Sequence, residues 1–233
     1  MSSLIIDIET IGEEWSKIDD QTKKVLVERV KRWHPEMGED AETTAEGELG
    51  VSPFTGEIVA LGVLDSETSK GAVYYQSPKE RESTEIEGVK LTVTSEKSML
   101  EKFWALSANY SEFVTFSGRT FDIPYIMLRS AILGIRPAKD LMRGRYLYQQ
   151  SPNAAHIDLY DQLRFYGSIS HLGGLHLACR AFGIETPKDG EIDGSKVGQY
   201  FREGKCKEIA EYNARDLHST RELYRHWKKY LAF

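Results

Sequence analysis

The sequence predicts a single α/β domain, residues 1–233, built on one sheet with flanking helices. Three observations carry that expectation. A β-branched, apolar segment at residues 4–9 opens the chain. Further apolar runs of strand length follow at 57–64, 72–76, 89–93 and 113–116. Helix-period segments then crowd the second half, up to a long closing run at 207–230. Strands come early and helices late, no internal repeat or linker is visible, and the length suffices for one core.

In chain order, Leu4-Ile5-Ile6-Asp7-Ile8-Glu9 reads as a buried strand, apolar apart from its two acids. Residues 13–34 place Trp15, Ile18, Val25, Val30 and Trp33 at roughly helical spacing. Residues 35–50 are acidic and poor in large apolar side chains, the composition of an exposed loop. The runs at 57–64 and 72–76 pair through a turn near Ser69-Lys70-Gly71, and a short strand is expected at 89–93 after a polar stretch at 78–88. Met99, Leu100, Phe103, Trp104 and Leu106 mark a helix, 113–116 the next strand, and 124–133 a helix stopped by Gly134. A helix is expected over 170–182, with Ser168 or Ser170 as N-cap and Gly183 as stop.

Composition narrows the function classes. Hydrophobic content of 40% and charged content of 28% are ordinary for a soluble globular chain and exclude a disordered or fibrous protein. Apolar stretches such as 58–64 fall far short of the ~20 residues that span a bilayer. The first residues carry no basic-then-apolar secretory signal. Cys179 and Cys206 are too few and too far apart for a disulfide framework or a zinc site, so a reduced, cytoplasmic protein with no membrane association is expected. A net charge of −6 argues against a protein that coats nucleic acid electrostatically. Residues 7–48 hold 13 acidic against 6 basic side chains; residues 119–145 hold 6 basic (Arg119, Arg129, Arg136, Lys139, Arg143, Arg145) against 2 acidic. An acidic centre with a basic shoulder suits a metal site that receives a phosphate backbone, and it also suits a solvated charged surface.

Asp7 and Glu9 are the first candidate site residues. Residues i and i+2 of a strand share a face, so the two carboxylates lie side by side. Acids in an apolar strand are costly unless something positive neutralises them, as a hard cation such as Mg²⁺ or Mn²⁺ would. The pair alone also fits a strand end whose acids face water or a basic side chain. The second candidate lies in Phe116-Ser117-Gly118-Arg119-Thr120-Phe121-Asp122-Ile123-Pro124, a strand running through a glycine turn into a helix. Asp122 there is either a helix cap or a functional group at a strand-to-helix junction. The third is Tyr212-Asn213-Ala214-Arg215-Asp216, where i and i+4 on a helix project the phenol and the carboxylate together. That spacing is common on exposed helices and gains weight from its order after the other two.

Taken together, Asp7-Ile8-Glu9, the F-x-G-x-x-F-D segment at 116–122 and Tyr212-x-x-x-Asp216 resemble the three exonuclease motifs of the DEDD, or DnaQ-like, superfamily in its tyrosine-bearing branch. The likeness runs to bacterial stand-alone relatives of the proofreading domain of family B DNA polymerases. Residues 170–183 are similar to that group's Ser-Leu-x-x-Leu-x-x-x-Leu-Gly helix, and Ile209-Ala210-Glu211-Tyr212 to the lead-in of its third motif. The resemblance therefore covers Leu4 to about Trp227. One departure is Ser117, where relatives commonly carry Asn; Ser loses the amide fork, which implies a weaker contact to the substrate strand.

The resemblance implies a ribonuclease H-like mixed sheet flanked by helices. It implies a metal-dependent 3′–5′ exonuclease that hydrolyses single-stranded DNA or RNA from a free 3′ end to nucleoside 5′-monophosphates. Two ions, Mg²⁺ or Mn²⁺, are implied, with Asp7 bridging both, Glu9 and Asp216 completing the site of the water-activating ion, and Asp122 serving the other. Tyr212 would orient the attacking water, and Ser117, Gly118, Arg119 and Phe121 would contact the substrate. A structure-selective endonuclease on the same fold and a non-catalytic nucleic-acid-binding module are the alternatives; such a module would be expected to have lost an acid, and all four are present. His156, Asp158 and Asp161 form H-x-D-x-x-D, either further ligands or a structural hydrogen-bond cluster. His171 and His176 have a poor spacing for one helix face, and His218 follows Asp216, whereas the histidine-bearing branch places its His where this chain has Glu211. Phe121, Tyr125 and Tyr166 are either core or candidates for stacking on a terminal base.

Overall fold

The first strand, β1 (Leu4–Gly12), alternates between two cores: Leu4, Ile6 and Ile8 face one, Ile5 and Ile11 the other. The computed structural model describes residues 2–78, 83–184 and 192–232, with residues 37–39 described by backbone alone. On one side β1 pairs antiparallel with β2 (Gly56–Asp65), which pairs antiparallel with β3 (Gly71–Tyr75). Beyond β3 lie β5 (Val89–Val93), parallel to it, and β4 (Thr84–Ile86) at the edge. On the other side β6 (Glu112–Thr115) and β7 (Ala155–Asp158) run parallel to β1, giving the order β4-β5-β3-β2-β1-β6-β7.

Helices close both faces of this mixed sheet. In the order of the chain they are α1 (Asp20–Trp33), α2 (Ala41–Gly47), α3 (Glu96–Ser107), α4 (Asp122–Ile132), α5 (Leu159–Leu163), α6 (Leu175–Ala181), α7 (Val197–Arg202) and α8 (Cys206–Tyr230). Met99, Phe103 and Trp104 of α3 and Ile123 and Tyr125 of α4 pack on the Leu4 side. Ile209, Ala210, Ala214, Leu217 and Trp227 recur at helical spacing along α8 and pack on the Ile5 side, with α5 to α7 around them. Burying these apolar faces stabilises the sandwich, at roughly 1.5–3 kcal/mol for each fully buried large side chain. Glu208 in the first turn of α8 and Lys228 and Lys229 in its last complement the helix dipole.

Several expectations are corrected. Residues 35–50 are not a loop: they carry a 3-10 turn and α2, and Ala41, Ala45 and Leu49 join Ile18, Leu26 and Val30 in a satellite core. Small alanines fill that core, so no run of large apolar residues announces it. The helix within 13–34 begins only at Asp20, capped by Asp19, and its buried face uses Leu26 rather than Val25 or Trp33, which are 60% and 74% exposed. The helix expected over 170–182 starts at Leu175, because Gly173 turns at φ +80° and Gly174, not Ser168 or Ser170, occupies the cap. In the polar stretch 78–88, residues 79–82 lie outside the described residues and Thr84–Ile86 forms β4. Strand β7 and the short helices α5 and α7 were not expected at all. Gly134 and Gly183 stop their helices as expected, at φ +74° and +68°. Among the described residues no helix is long and apolar enough to cross a membrane.

Candidate metal centre

Asp7 and Glu9 project from the centre of the sheet, on the face covered by α8. Asp7 stands opposite Gly62 of β2 and Glu9 opposite Ala60. The pairing slips directly after Glu9, where Thr10 faces Ile58 and Val59 is the extra residue of a β-bulge. Strand β6 pairs with β1 only at Leu4 and Ile5, so the backbone of β1 is left open on that side at the level of the two acids.

Asp122 fills that opening. Its Oδ1 accepts the Ile8 N–H at 3.0 Å, the bond a longer β6 would have made. The loop between β6 and α4 aims it there. Ser117 turns with φ +62°, its carbonyl accepts the Thr120 N–H at 3.1 Å, and the Gly118 carbonyl accepts the Ile123 N–H at 2.9 Å. Gly118 has no room for a side chain, since a Cβ would lie 2.5 Å from that of Thr115. The loop is anchored from β7: Asp158 accepts the N–H groups of Ser117 and Arg119, both at 2.9 Å, and caps α5 through the Tyr160 N–H.

The long helix supplies the remaining groups. Asp216 and Tyr212 share a face, and the Tyr212 hydroxyl donates to the Asp216 carboxylate. Oxygens of Asp7, Glu9 and Asp216 lie within 4.8 Å of one another. Between them sits Asn213, fully buried, whose Nδ2 donates to Asp7 Oδ2 at 2.7 Å and whose amide also favours the charged form of Glu9. Asn213 was missed in the sequence, although a signal exists: it falls inside the apolar stripe Ile209-Ala210-Ala214-Leu217, where a polar side chain demands a partner. Its approach depends on Gly62, where a Cβ would lie 2.0 Å from Asn213 Oδ1 and 2.7 Å from Leu217 Cδ1.

Burial raises the Asp7 carboxyl well above its usual range, and repulsion from Glu9, Asp122 and Asp216 adds to it. Burial is also the main cause for Glu9, followed by Asp216 and Asp122. Asp122 is pushed up to about 7 by burial, against the favourable Ile8 N–H. Asp216 is pushed up to about 6 by burial, against Tyr212 and Arg215. The Tyr212 phenol is raised as well, by burial and then by the carboxylates, so it is a donor at neutral pH. Among the described residues none of the four acids forms an ion pair with Lys or Arg. Clustered carboxylate oxygens without Cys or His fit a hard divalent cation such as Mg²⁺ or Mn²⁺ and do not resemble a zinc set.

The other candidate residues are placed as follows. Asp161 pairs bidentately with Arg145 at 3.0 and 2.6 Å, and the His156 ring meets Thr115 Oγ1 at 2.8 Å. His156 is buried and pushed down to about 3 by burial and then by Arg119, so the H-x-D-x-x-D residues form a structural cluster. Arg119 turns inward, its Nη2 donating to the Met142 carbonyl at 2.7 Å and its Nη1 buried. Much of the basic shoulder is likewise committed. Arg129 forms a buried pair with Glu96, and Lys139 donates to the carbonyls of Tyr110 and Asn153. Tyr125 is 1% exposed and belongs to the core; Phe121 is half-buried against it, with ring centroids 5.5 Å apart. Tyr166 is half-buried, its hydroxyl accepting from Gln162.

Residues 68–231 match the family described as "Predicted 3'-5' exonuclease related to the exonuclease domain of PolB". No curated protein matches the chain. Among solved structures, the family B DNA polymerase from the hyperthermophilic archaeon Pyrobaculum calidifontis is similar over 99% of this chain, with a TM-score of 0.58 and 16% identity. The chain spans 24% of that polymerase's length. This likeness fits the expected ribonuclease H-like mixed sheet flanked by helices, which has seven strands among the described residues. The family match takes in Asp122, Tyr212 and Asp216 but begins after Asp7 and Glu9, which the fold itself brings to Asp216. By this match the chain belongs to the family of predicted 3′–5′ exonucleases related to the exonuclease domain of PolB.

Proposed function

We propose that the chain is a divalent-metal-dependent exonuclease that removes nucleoside 5′-monophosphates from the 3′ end of single-stranded DNA or RNA. The observation that carries this reading is the convergence of Asp7, Glu9 and Asp216 within 4.8 Å, with Asp122 fixed beside them on the Ile8 N–H. In this proposal Asp7, Glu9 and Asp216 would hold one Mg²⁺ or Mn²⁺ ion, and Asp7 and Asp122 would hold a second. Bound cations of this kind lower the pKa of water and neutralise charge on a phosphodiester.

The chain's own groups then have distinct tasks. Tyr212, held protonated by its surroundings, would turn its hydroxyl from Asp216, whose carboxylate a cation would then engage, to donate the hydrogen bond that positions the attacking water. Asn213 holds the Asp7 carboxylate in one orientation, so little reorganisation is needed when substrate arrives. The water gives one proton to solvent and its oxygen bonds to phosphorus while the bond from phosphorus to the 3′ oxygen of the preceding nucleotide breaks, and a proton from solvent restores that 3′ hydroxyl. Ser117 and Gly118 lie on the loop before Asp122 and Phe121 sits at its end, where a terminal nucleotide would lie. Arg119, turned inward, serves by keeping that loop closed. Residues 1–233 are proposed to act as one domain. The buried thiols of Cys179 and Cys206 are in keeping with a reducing, cytoplasmic compartment.

The test compares linear and circular single strands of DNA and of RNA in the presence of Mn²⁺. Mononucleotide release from linear strands, with circles untouched, is the expected result. Prompt nicking of the circles would transfer the site to an endonuclease.

A further inference from the structure

A second concentration of chemistry lies away from the carboxylates, around residues 143–148 and 165–166. Tyr148 is 84% exposed, and its ring stacks on that of Tyr146 with centroids 5.8 Å apart and planes 12° from parallel. Tyr146 in turn meets the edge of Tyr166 at 4.7 Å. Phe165, the neighbour of Tyr166, is half-exposed. Two features make this more than scattered surface aromatics. Phe165 and Tyr166 both take positive φ, 47° and 56°, a conformation that costs energy for bulky residues and clusters at sites that bind. Their turn is braced by the Tyr166 hydroxyl, which accepts from Gln162 Nε2 at 2.7 Å.

Positive charge flanks the rings. Arg143 is exposed, and Arg145, although paired with Asp161, leaves half of its side chain open to solvent. The patch is also tied to the loop that carries Asp122. Arg119, in the loop before Asp122, is bonded to the carbonyl of Met142, the residue that leads into Arg143.

We infer that this surface is a stacking platform for the single-stranded tail of a polynucleotide whose 3′ end lies at the carboxylates; it rests on the exonuclease reading for what becomes of that end. A polynucleotide fits because every base carries a π face that can extend the Tyr146–Tyr148 stack, while its phosphates suit the arginines. A protein partner would need a broad contiguous apolar face, and the Tyr146–Tyr148 pair is flanked by Arg143 and Arg145 on one side and Gln149 and Gln150 on the other.

The test is fluorescence anisotropy in EDTA, where nothing is hydrolysed, with 5′-fluorescein oligothymidylate and oligouridylate of 4 and 16 nucleotides. The proteins are the wild-type chain, a Tyr146→Ser/Tyr148→Ser variant and Tyr230→Ser, which removes an exposed tyrosine of α8. The double variant should bind the 16-mers roughly five- to a hundred-fold more weakly, the range set by one or two lost stacking contacts. The loss should shrink on the 4-mers, and Tyr230→Ser should match wild type. A loss on one polymer only supports the platform and identifies that polymer. If circular dichroism shows the double variant unfolded, Tyr148→Ser alone should read the same direction of change. Unchanged affinity for both 16-mers overturns the proposal, and an altered sedimentation coefficient in the same variants would give the surface to a second copy. Should wild type bind through the platform yet never shorten a strand with Mn²⁺, the exonuclease reading falls and the platform stands. Should it shorten strands while the variants bind normally, only the platform falls.

Discussion

The amide of Asn213 donates to the Asp7 carboxylate at 2.7 Å, joining the third helical turn of α8 to strand β1 across 206 positions of sequence. A hydrogen bond to a charged group is worth ~1.5–3 kcal/mol. Asn213→Ala should therefore weaken Mn²⁺ binding by roughly ten- to a hundred-fold in titration calorimetry while leaving the helix content intact. Wild-type affinity in that variant would remove Asn213 from the site.

Gly62 is the other half of that contact. In Gly62→Ala the new methyl meets Asn213 Oδ1 and Leu217 Cδ1, and overpacking of this kind costs ~1–3 kcal/mol. The melting temperature in EDTA should fall by several degrees. Combined with Asn213→Ala the cost should be less than additive, because the clash is with the side chain that the second change removes.

The carboxyl shifts give a pH dependence with a definite sign. Asp122 at about 7 and Asp216 at about 6 lie above the ~4 of an unfolded aspartate, so the metal-free folded state binds more protons than the unfolded state. Metal-free stability should fall as pH rises from 6.5 to 8. Below that window, burying His156 in its neutral form acts in the opposite direction. Protons also compete with cations for these oxygens, so Mn²⁺ should bind more tightly at pH 8 than at 6.5 and should flatten the trend. Melting curves with and without Mn²⁺ check both, and a metal-free melting temperature that climbs across this window would contradict the repulsive cluster.

Ser117 sits at φ +62°, where Asn is more at ease than Ser. Ser117→Asn should leave the fold intact, raise the melting temperature by a degree or so, and lower KM with little change in kcat. A rise in KM would mean that this residue faces away from the strand.

Tyr212→Phe should leave Mn²⁺ affinity nearly unchanged and slow single-turnover hydrolysis roughly ten- to a hundred-fold, the cost of one hydrogen bond at the reacting water. Asp216→Ala should lower both. Equal losses of metal binding in the two variants would make the tyrosine a structural partner of Asp216.

Much of this architecture was legible because pattern and burial agree. Strand β1 alternates two cores along an apolar run, and the stripe of α8 repeats at helical period over 25 residues. Strand β7 escaped because His156 and Asp158, both buried, look like surface residues until Thr115 and the 117–119 backbone satisfy them. Half of the basic shoulder misled in the other direction, since Arg119, Arg129 and Lys139 serve carbonyls and a buried glutamate. At the candidate site the spacing placed Asp7 beside Glu9 and Tyr212 beside Asp216. What spacing could not supply was the contact across the sheet, which depends on Gly62 having no side chain and on β6 ending early enough to admit Asp122.

In the proposed mechanism four acids hold the cations with which this chain shortens a strand from its 3′ end. That mechanism is tested most directly by following a 5′-labelled single strand over time with Mn²⁺, after exhaustive chelation, and after Mn²⁺ is restored, in wild type and in Asp7→Asn. Asp7→Asn should be folded, at least as stable as wild type without metal, and slower by several orders of magnitude. The expected result is a ladder that descends one nucleotide at a time, stops on chelation, resumes with Mn²⁺ and is missing in Asp7→Asn; undiminished hydrolysis after chelation, or near-normal hydrolysis by Asp7→Asn, would overturn the mechanism.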